Sequence, residues 1–352
     1  SARRPDSALK PPGRRATIAA HSRHQPDESM NPYLRCCLAV AFTASLTSAA
    51  AAQTATVYRG PCDASAVTAL DADHFVVGDD EHNILHIYRQ GQAQPVGRAD
   101  LSAFLATANG EEADIEGAAA VGTRIYWITS HARDTKGRVR PDRHRFFATD
   151  VIPGNPPTLK PAGQAYARLL DDLLAADTLA PYRLARAARR TAEAEGGLNI
   201  EGLAATPEGT LLIGLRNPLH QGRALLIPLL NPGELIDGGR ARFGAPVEID
   251  LDRRGIRSIE RIGTSYVIAA GPTADAGSFA LFRWSGRAGE AAAMITGIDL
   301  RDLRPEALFA IPGGKSVQVL SDDGGIRVGG VECKKLPAGR QTFRSLTITL
   351  PE

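Results

Sequence analysis

Five segments of the chain repeat one plan. DASAVTALDADHFVVGDD (63–80), DIEGAAAVGTRIYWITS (114–130), NIEGLAATPEGTLLIGL (199–215), GIRSIERIGTSYVIAA (255–270) and RPEALFAIPGGKSVQVLS (304–321) each open on a short strand of small residues. A tight turn containing Gly, Asp or Pro follows, then a strongly apolar, β-branched strand. A unit of this size cannot bury its apolar face alone, so repetition implies stacked units. Further strand-like runs follow in most of them: ILHIYR (84–89), RFFATDV (145–151), RALLIPL (223–229), FALFRW (279–284) and the outer GAPVEIDL (244–251). Five units of about four strands predict an all-β fold, a five-bladed β-propeller. A sandwich with accidental internal similarity is the competing fold. The 35 glycines and 23 prolines suit many short strands joined by turns.

Aligning the units places Ser65, Glu116, Glu201, Arg257 and Glu306 at one position. The step from Glu116 to Glu201 is longer than the others because it contains residues 165–197. There Leu169, Leu170, Leu173 and Leu174 fall on one helical face. Pro181 breaks that helix and can start a second, Arg-rich one, which Gly196 and Gly197 end. A helical hairpin inserted between blades 2 and 3 is therefore expected, rather than a sixth blade, which would need β-branched strands. Both TATVYRG (54–60) and RSLTITL (344–350) are strand-like, and the first is expected to complete the last blade and cover its open edge.

Residues 53–352 are read as this single domain. Residues 30–52 have the form of an export signal: Arg35, then an apolar run ending in small residues near Ala52. The alternative, a membrane anchor, would need a longer run without Ser and Thr. Residues 1–29, rich in Arg and Pro, are expected to be a disordered upstream extension. Residues 1–52 carry seven Lys/Arg against three Asp/Glu, which leaves the remainder near −2. Nucleic acid is not an expected partner, because no basic field remains. A periplasmic or secreted monomer, without stable membrane insertion, is expected. Cys36 and Cys37 fall in the signal. Cys62 and Cys333 then become neighbours if the N-terminal strand closes the last blade, forming a disulfide or remaining two buried thiols.

No phosphate loop, dinucleotide fingerprint, G-x-S-x-G elbow or H-E-x-x-H helix is present. The candidate chemistry is positional, since equivalent blade positions converge on the axis. Glu116, Glu201 and Glu306 would repel one another without a counterion, either Arg257 or a bound Ca²⁺. The loop after each second strand should open on the same face, adding Asp79, Asp80, Arg216, Asn217, Asp322 and His131. Glu116, Glu201 and His131 are the candidate acid–base residues; Arg257, Arg216, Ser65, Asp79, Asp80, Asn217 and Asp322 are candidate ligand contacts. Glu116, Glu201 and Glu306 are candidate metal ligands. A purely structural role, with the Glu residues capping amides or pairing with Arg, competes with both. The run RLARAARR (183–190) is a solvated helix face or a lid over an anionic ligand.

The starts D-I-E-G-A-A (114–119), N-I-E-G-L-A (199–204), G-I-R-S-I-E (255–260) and P-E-A (305–307) resemble an uncharacterised bacterial propeller family, domain of unknown function 3616. More distantly, the D-x-E-G starts resemble phytase-like and esterase-like propellers of exported proteins. The resemblance implies Glu116, Glu201, Arg257 and Glu306 as the marked positions, while Ser65 departs from the Glu pattern. The expected function is binding of a small anionic or metal-bridged ligand at the axial mouth, with hydrolysis of a phosphate or other ester. A non-catalytic binding or scaffold propeller is the alternative.

Overall fold

Short apolar strands separated by turn residues pair with their sequence neighbours, and four at a time they make a twisted antiparallel sheet. The computed structural model describes residues 55–351 apart from Asp275 and Arg301. The expected extension (1–29) and signal (30–52) lie outside the described residues. The chain opens with β1 (Thr56–Arg59). The first blade is β2 (Ala66–Ala69), β3 (His74–Gly78), β4 (Ile84–Arg89) and β5 (Pro95–Asp100). The second is β6 (Ile115–Val121), β7 (Arg124–Thr129), β8 (Phe146–Ile152) and β9 (Thr158–Tyr166). The third is β10 (Asn199–Ala205), β11 (Leu211–Asn217), β12 (Ala224–Leu229) and β13 (Val247–Ile249), and the fourth is β14 (Gly255–Ile262), β15 (Ser265–Gly271), β16 (Ala280–Trp284) and β17 (Ala293–Met294). The last blade takes β18 (Pro305–Ala310) and β19 (Ser316–Ser321), passes over a small hairpin, β20 (Arg327–Val328) with β21 (Val331–Glu332), and adds β22 (Thr342–Thr349).

The five-bladed propeller is thus the observed architecture. Its core is divided among the interfaces between blades. Phe147 and Trp127 of the second blade pack with Leu85 and Ile87 of the first. Ile256 and Ile268 of the fourth pack with Ala224 and Leu226 of the third. Leu308 and Val319 of the last blade pack with Val267 and Leu281 of the fourth. Both tryptophans, Trp127 and Trp284, are fully buried in these layers. Apolar side chains therefore fill the gaps between sheets, and the axis is left to polar groups.

Ring closure follows the expected route. β1 pairs antiparallel with β22, Thr56 opposite Ser345 and Arg59 opposite Thr342, so the N-terminal strand is the outer strand of the last blade. Tyr58 of β1 stacks on Phe343 of β22, with centroids 5.3 Å apart, and meets Phe75 of the first blade edge-on at 5.4 Å. Aromatic pairs of this geometry add to simple area burial. Cys62 and Cys333 form a disulfide across the same junction, with Cα atoms 5.9 Å apart. Among the described residues, no helix is long and apolar enough to cross a membrane.

The segment between the second and third blades is helical only in pieces, not a hairpin of two continuous helices. An α-helix at Leu169–Ala175 is followed by a 3-10 turn at Asp177–Tyr182 and a single helical turn at Leu184–Ala187. Pro181 lies inside the 3-10 turn, and Arg183 takes a left-handed conformation (φ 52°) that separates it from the last piece. Burial explains the breaks. Leu169, Leu173, Leu179 and Leu184 all reach the core between the second and third blades, and one straight helix could not bring them all there.

Candidate functional site: a charged axial cavity

In four blades the innermost strand carries one extra residue near its start. Ile115 pairs with Thr129 and Gly117 with Ile128, so Glu116 stands outside the ladder. Glu201 is skipped in the same way between Ile200 and Gly202, Arg257 between Ile256 and Ser258, and Glu306 between Pro305 and Ala307. These are β-bulges, which re-aim a side chain without ending the strand. The residue after the bulge must be small where blades crowd. At Gly202 a Cβ would lie 2.7 Å from Ile256 Cγ2 and 3.1 Å from Gly214 Cα. The four bulge residues all line one cavity of about 390 Å³, together with Arg216, Asp80 and Asp322.

Glu201 is the hub of this wall. Its Oε1 accepts hydrogen bonds from Arg216 Nη1 at 3.0 Å and Asn199 Nδ2 at 2.8 Å. Arg257 Nε lies 2.9 Å from Glu201 Oε2 but off the N–H direction, so that contact is ionic rather than a hydrogen bond. Arg257 Nη2 also contacts Glu306 Oε1. Arg216 spends its remaining donors on backbone: Nε on Pro272 O at 3.2 Å and Nη2 on Ala274 O at 3.1 Å. Glu201 and Glu306 are therefore not a free acidic pair, because Arg257 lies between them as counterion. Burial draws Arg257 below its ordinary range, with Glu201 opposing. Burial pulls Arg216 the same way, but Glu201 outweighs it and holds that guanidinium above its ordinary range.

Glu116 differs. It makes no hydrogen bond or ion pair among the described residues, although it faces the same cavity. Burial, then repulsion from Glu201, Asp114 and Asp80, pushes its carboxyl well above the usual range, against a weaker pull from Arg257. Asp80 is raised in the same way, by burial and by Asp114, Asp322 and Glu81. Asp114 is raised to about 6 by burial, tempered by Arg143, whose Nη1 lies 3.1 Å away, and by the Ser130 hydroxyl, which donates to it. At the junction of first and last blades, burial and a hydrogen bond shared with Asp322 push Asp63 up to about 10. Burial opposes ionisation of Asp322 as well, but that bond and the Gly324 N–H hold its carboxyl low.

Four of the sequence candidates do not line the cavity. His131 turns away from it, in a left-handed conformation (φ 54°). It lines a separate pocket of about 220 Å³ with Arg133, His144, Leu170 and Leu174. Its Nδ1 is 2.7 Å from Thr129 O, its ring stacks on His144 at 5.7 Å, and burial lowers its pKa to about 3. Asn217 donates to Ala192 O at 2.9 Å and Ala194 O at 2.8 Å, which ties down the end of the inserted segment. Asp79 is buried and accepts the Glu81 N–H at 2.9 Å, shaping its own loop. The Ser65 hydroxyl is buried without a hydrogen-bond partner. Conversely, Asp114, Arg143, Arg304 and Lys334 line the cavity and are absent from the sequence candidates. Arg304 stands two residues before the Glu306 bulge, a proximity that could flag it.

No curated protein matches the chain at a significant level. Among solved structures it is similar to the glutaminyl cyclase of Myxococcus xanthus, at 14% identity over 85% of this chain and 98% of that one, with a TM-score of 0.42. It is also similar to a thermostable family-43 glycoside hydrolase, at 13% identity over 76% and 84% of the two chains, with a TM-score of 0.41. A luciferin-regenerating enzyme is similar at 8% identity over 84% and 95%, with a TM-score of 0.40. Residues 160–318, from the outer strand of the second blade to the second strand of the last, match the family described as a protein of unknown function (DUF3616).

Proposed function

We propose that this propeller binds a small anionic ligand in its axial cavity and hydrolyses an ester of it, a phosphate ester foremost. The observation that carries the reading is Glu116, a cavity-facing carboxyl with no partner among the described residues, whose hold on a proton is strengthened by burial and by its acidic neighbours. Around it, Glu201, Arg216, Arg257 and Glu306 satisfy one another, as do Asp114 and Arg143. The Arg304 guanidinium lines the cavity with no hydrogen bond or ion pair among the described residues. In this reading Arg304 meets the anionic group, as guanidinium suits a planar or tetrahedral oxyanion. Water attacks the phosphorus or acyl carbon as the ester bond breaks, Glu116 donates its proton to the leaving alcohol oxygen, and Glu116 regains a proton from the attacking water. Ca²⁺ carried in with the ligand would supply Lewis-acid polarisation. The Cys62–Cys333 disulfide supports an oxidising compartment, periplasmic or extracellular.

The Glu201 hub favours a second reading, a binding propeller without turnover, because a carboxylate held by two arginines and an asparagine is a structural brace. A panel of chromogenic phosphate and carboxylate esters, with and without Ca²⁺, separates the two. Turnover that falls by roughly 100-fold or more in Glu116→Gln supports hydrolysis. Binding of the anion without turnover, lost in Arg304→Met, leaves the binding propeller.

A further inference from the structure

The junction of the first and last blades holds three carboxylates, of which Asp80 and Glu81 also line the axial cavity but take no part in the Glu201–Arg257–Glu306 ion pairs. Asp63 follows the disulfide residue Cys62 and bridges to Asp322 of the last blade. Asp80 and Glu81 come from the loop after β3 in the first blade. One carboxylate oxygen from each of Asp63, Asp80 and Glu81 lies within 4.8 Å of the other two. Asp63 is only 5% exposed and shares a hydrogen bond with Asp322, while its Oδ2, aimed into this cluster, meets no hydrogen-bond donor. Asp80 Oδ1 is buried in the same condition. Buried polar oxygens are normally satisfied, and leaving one bare is costly. Gly324 packs against the cluster, where an added Cβ would run into the Asp63 carboxylate.

We propose that Asp63, Asp80 and Glu81 bind a divalent cation, Ca²⁺ by their chemistry, that fastens the first blade to the last. Three carboxylates with no imidazole or thiolate among them suit a hard cation and not zinc or copper. Lys334, next to the disulfide residue Cys333, places its ammonium 2.8 Å from Glu81 Oε1 and competes with the ion for that oxygen. The ion is structural, so the proposal stands whether or not the axial cavity is catalytic.

The test is titration calorimetry of the chelator-treated protein with Ca²⁺, paired with melting curves. The expected result is one Ca²⁺ per chain, a raised melting temperature, roughly tenfold weaker binding in Glu81→Gln and tighter binding in Lys334→Met. Asp63→Asn should abolish binding; Glu81 is exposed, so its variant keeps the test open if Asp63→Asn fails to fold. Absence of binding in the wild type, or an unchanged affinity in Glu81→Gln, overturns the proposal. So does loss of the ion in Glu116→Gln alone, which would place it on the axis instead.

Discussion

Arg257 and Glu201 hold the same position in successive blades, and their side chains meet across the blade boundary at 2.9 Å. A repeated backbone thus places opposite charges where a strict repeat would place like ones. Replacing Arg257 with Met should strand Glu201 and Glu306, at a cost of about 3–5 kcal/mol for breaking a buried ion pair. Adding Glu201→Gln to that variant should recover part of the loss. Urea midpoints measure both. A loss under about 1 kcal/mol would mean that water screens the network.

Close packing at the blade starts gives a second expectation. Gly202→Ala would drive a methyl group into Ile256 Cγ2, and overpacking of this kind typically costs about 1–3 kcal/mol. Gly339→Ala is the control, because nothing lies within 4 Å of the Cβ it would add. Equal midpoints for the two variants would show that the third and fourth blades can move apart freely.

Glu260 of β14 gives a pH dependence. Burial raises its pKa from 4.5 to about 8, against an opposing hydrogen bond from Ala310. The folded state therefore keeps a proton that the unfolded chain releases. That contribution to stability is complete below about pH 4.5 and is lost as pH rises through 8. Glu260→Gln should flatten the decline between about pH 5 and 8 and exceed the wild type at about pH 9. Parallel pH profiles for the two proteins would remove Glu260 as the cause.

The disulfide closes a loop of 271 positions in sequence. In the chain-entropy picture a loop of that length is worth about 5 kcal/mol. Reduction, or Cys62→Ser with Cys333→Ser, should lower the denaturation midpoint accordingly. Thiol counting on the denatured, unreduced protein checks the bond directly: neither Cys62 nor Cys333 should react.

The ring of blades, its closure by β1 and the Cys62–Cys333 pairing are legible because strand periodicity and cysteine position survive in a single sequence. Glu116, Glu201, Arg257 and Glu306 are legible as one repeated position, and the structure brings all four into one cavity. Their bulges are not, since a bulge is defined by the partner strand. His131 escapes its expected place because its left-handed backbone turns the chain away from the axis, which the residues around it do not announce. Lys334 is hidden from a sequence reading because its place depends on how the last blade meets its neighbours, whereas Arg304 is signalled only by standing two residues before Glu306. In the inserted segment the leucines satisfy a helical period and suggest two helices, while tertiary burial divides them among shorter turns.

The bulges separate what holds the blades together from what faces the axis. Each bulged residue sits outside the ladder, so pairing places no demand on its identity. The same socket accepts Glu in three blades and Arg in one. Exchanging the occupants rewrites the sign and sequence of charge around the channel while the surrounding strands keep their register. Because Arg257 pairs with both Glu201 and Glu306, such an exchange is tolerated only where each buried charge keeps a counter-charge, so the sockets change in concert.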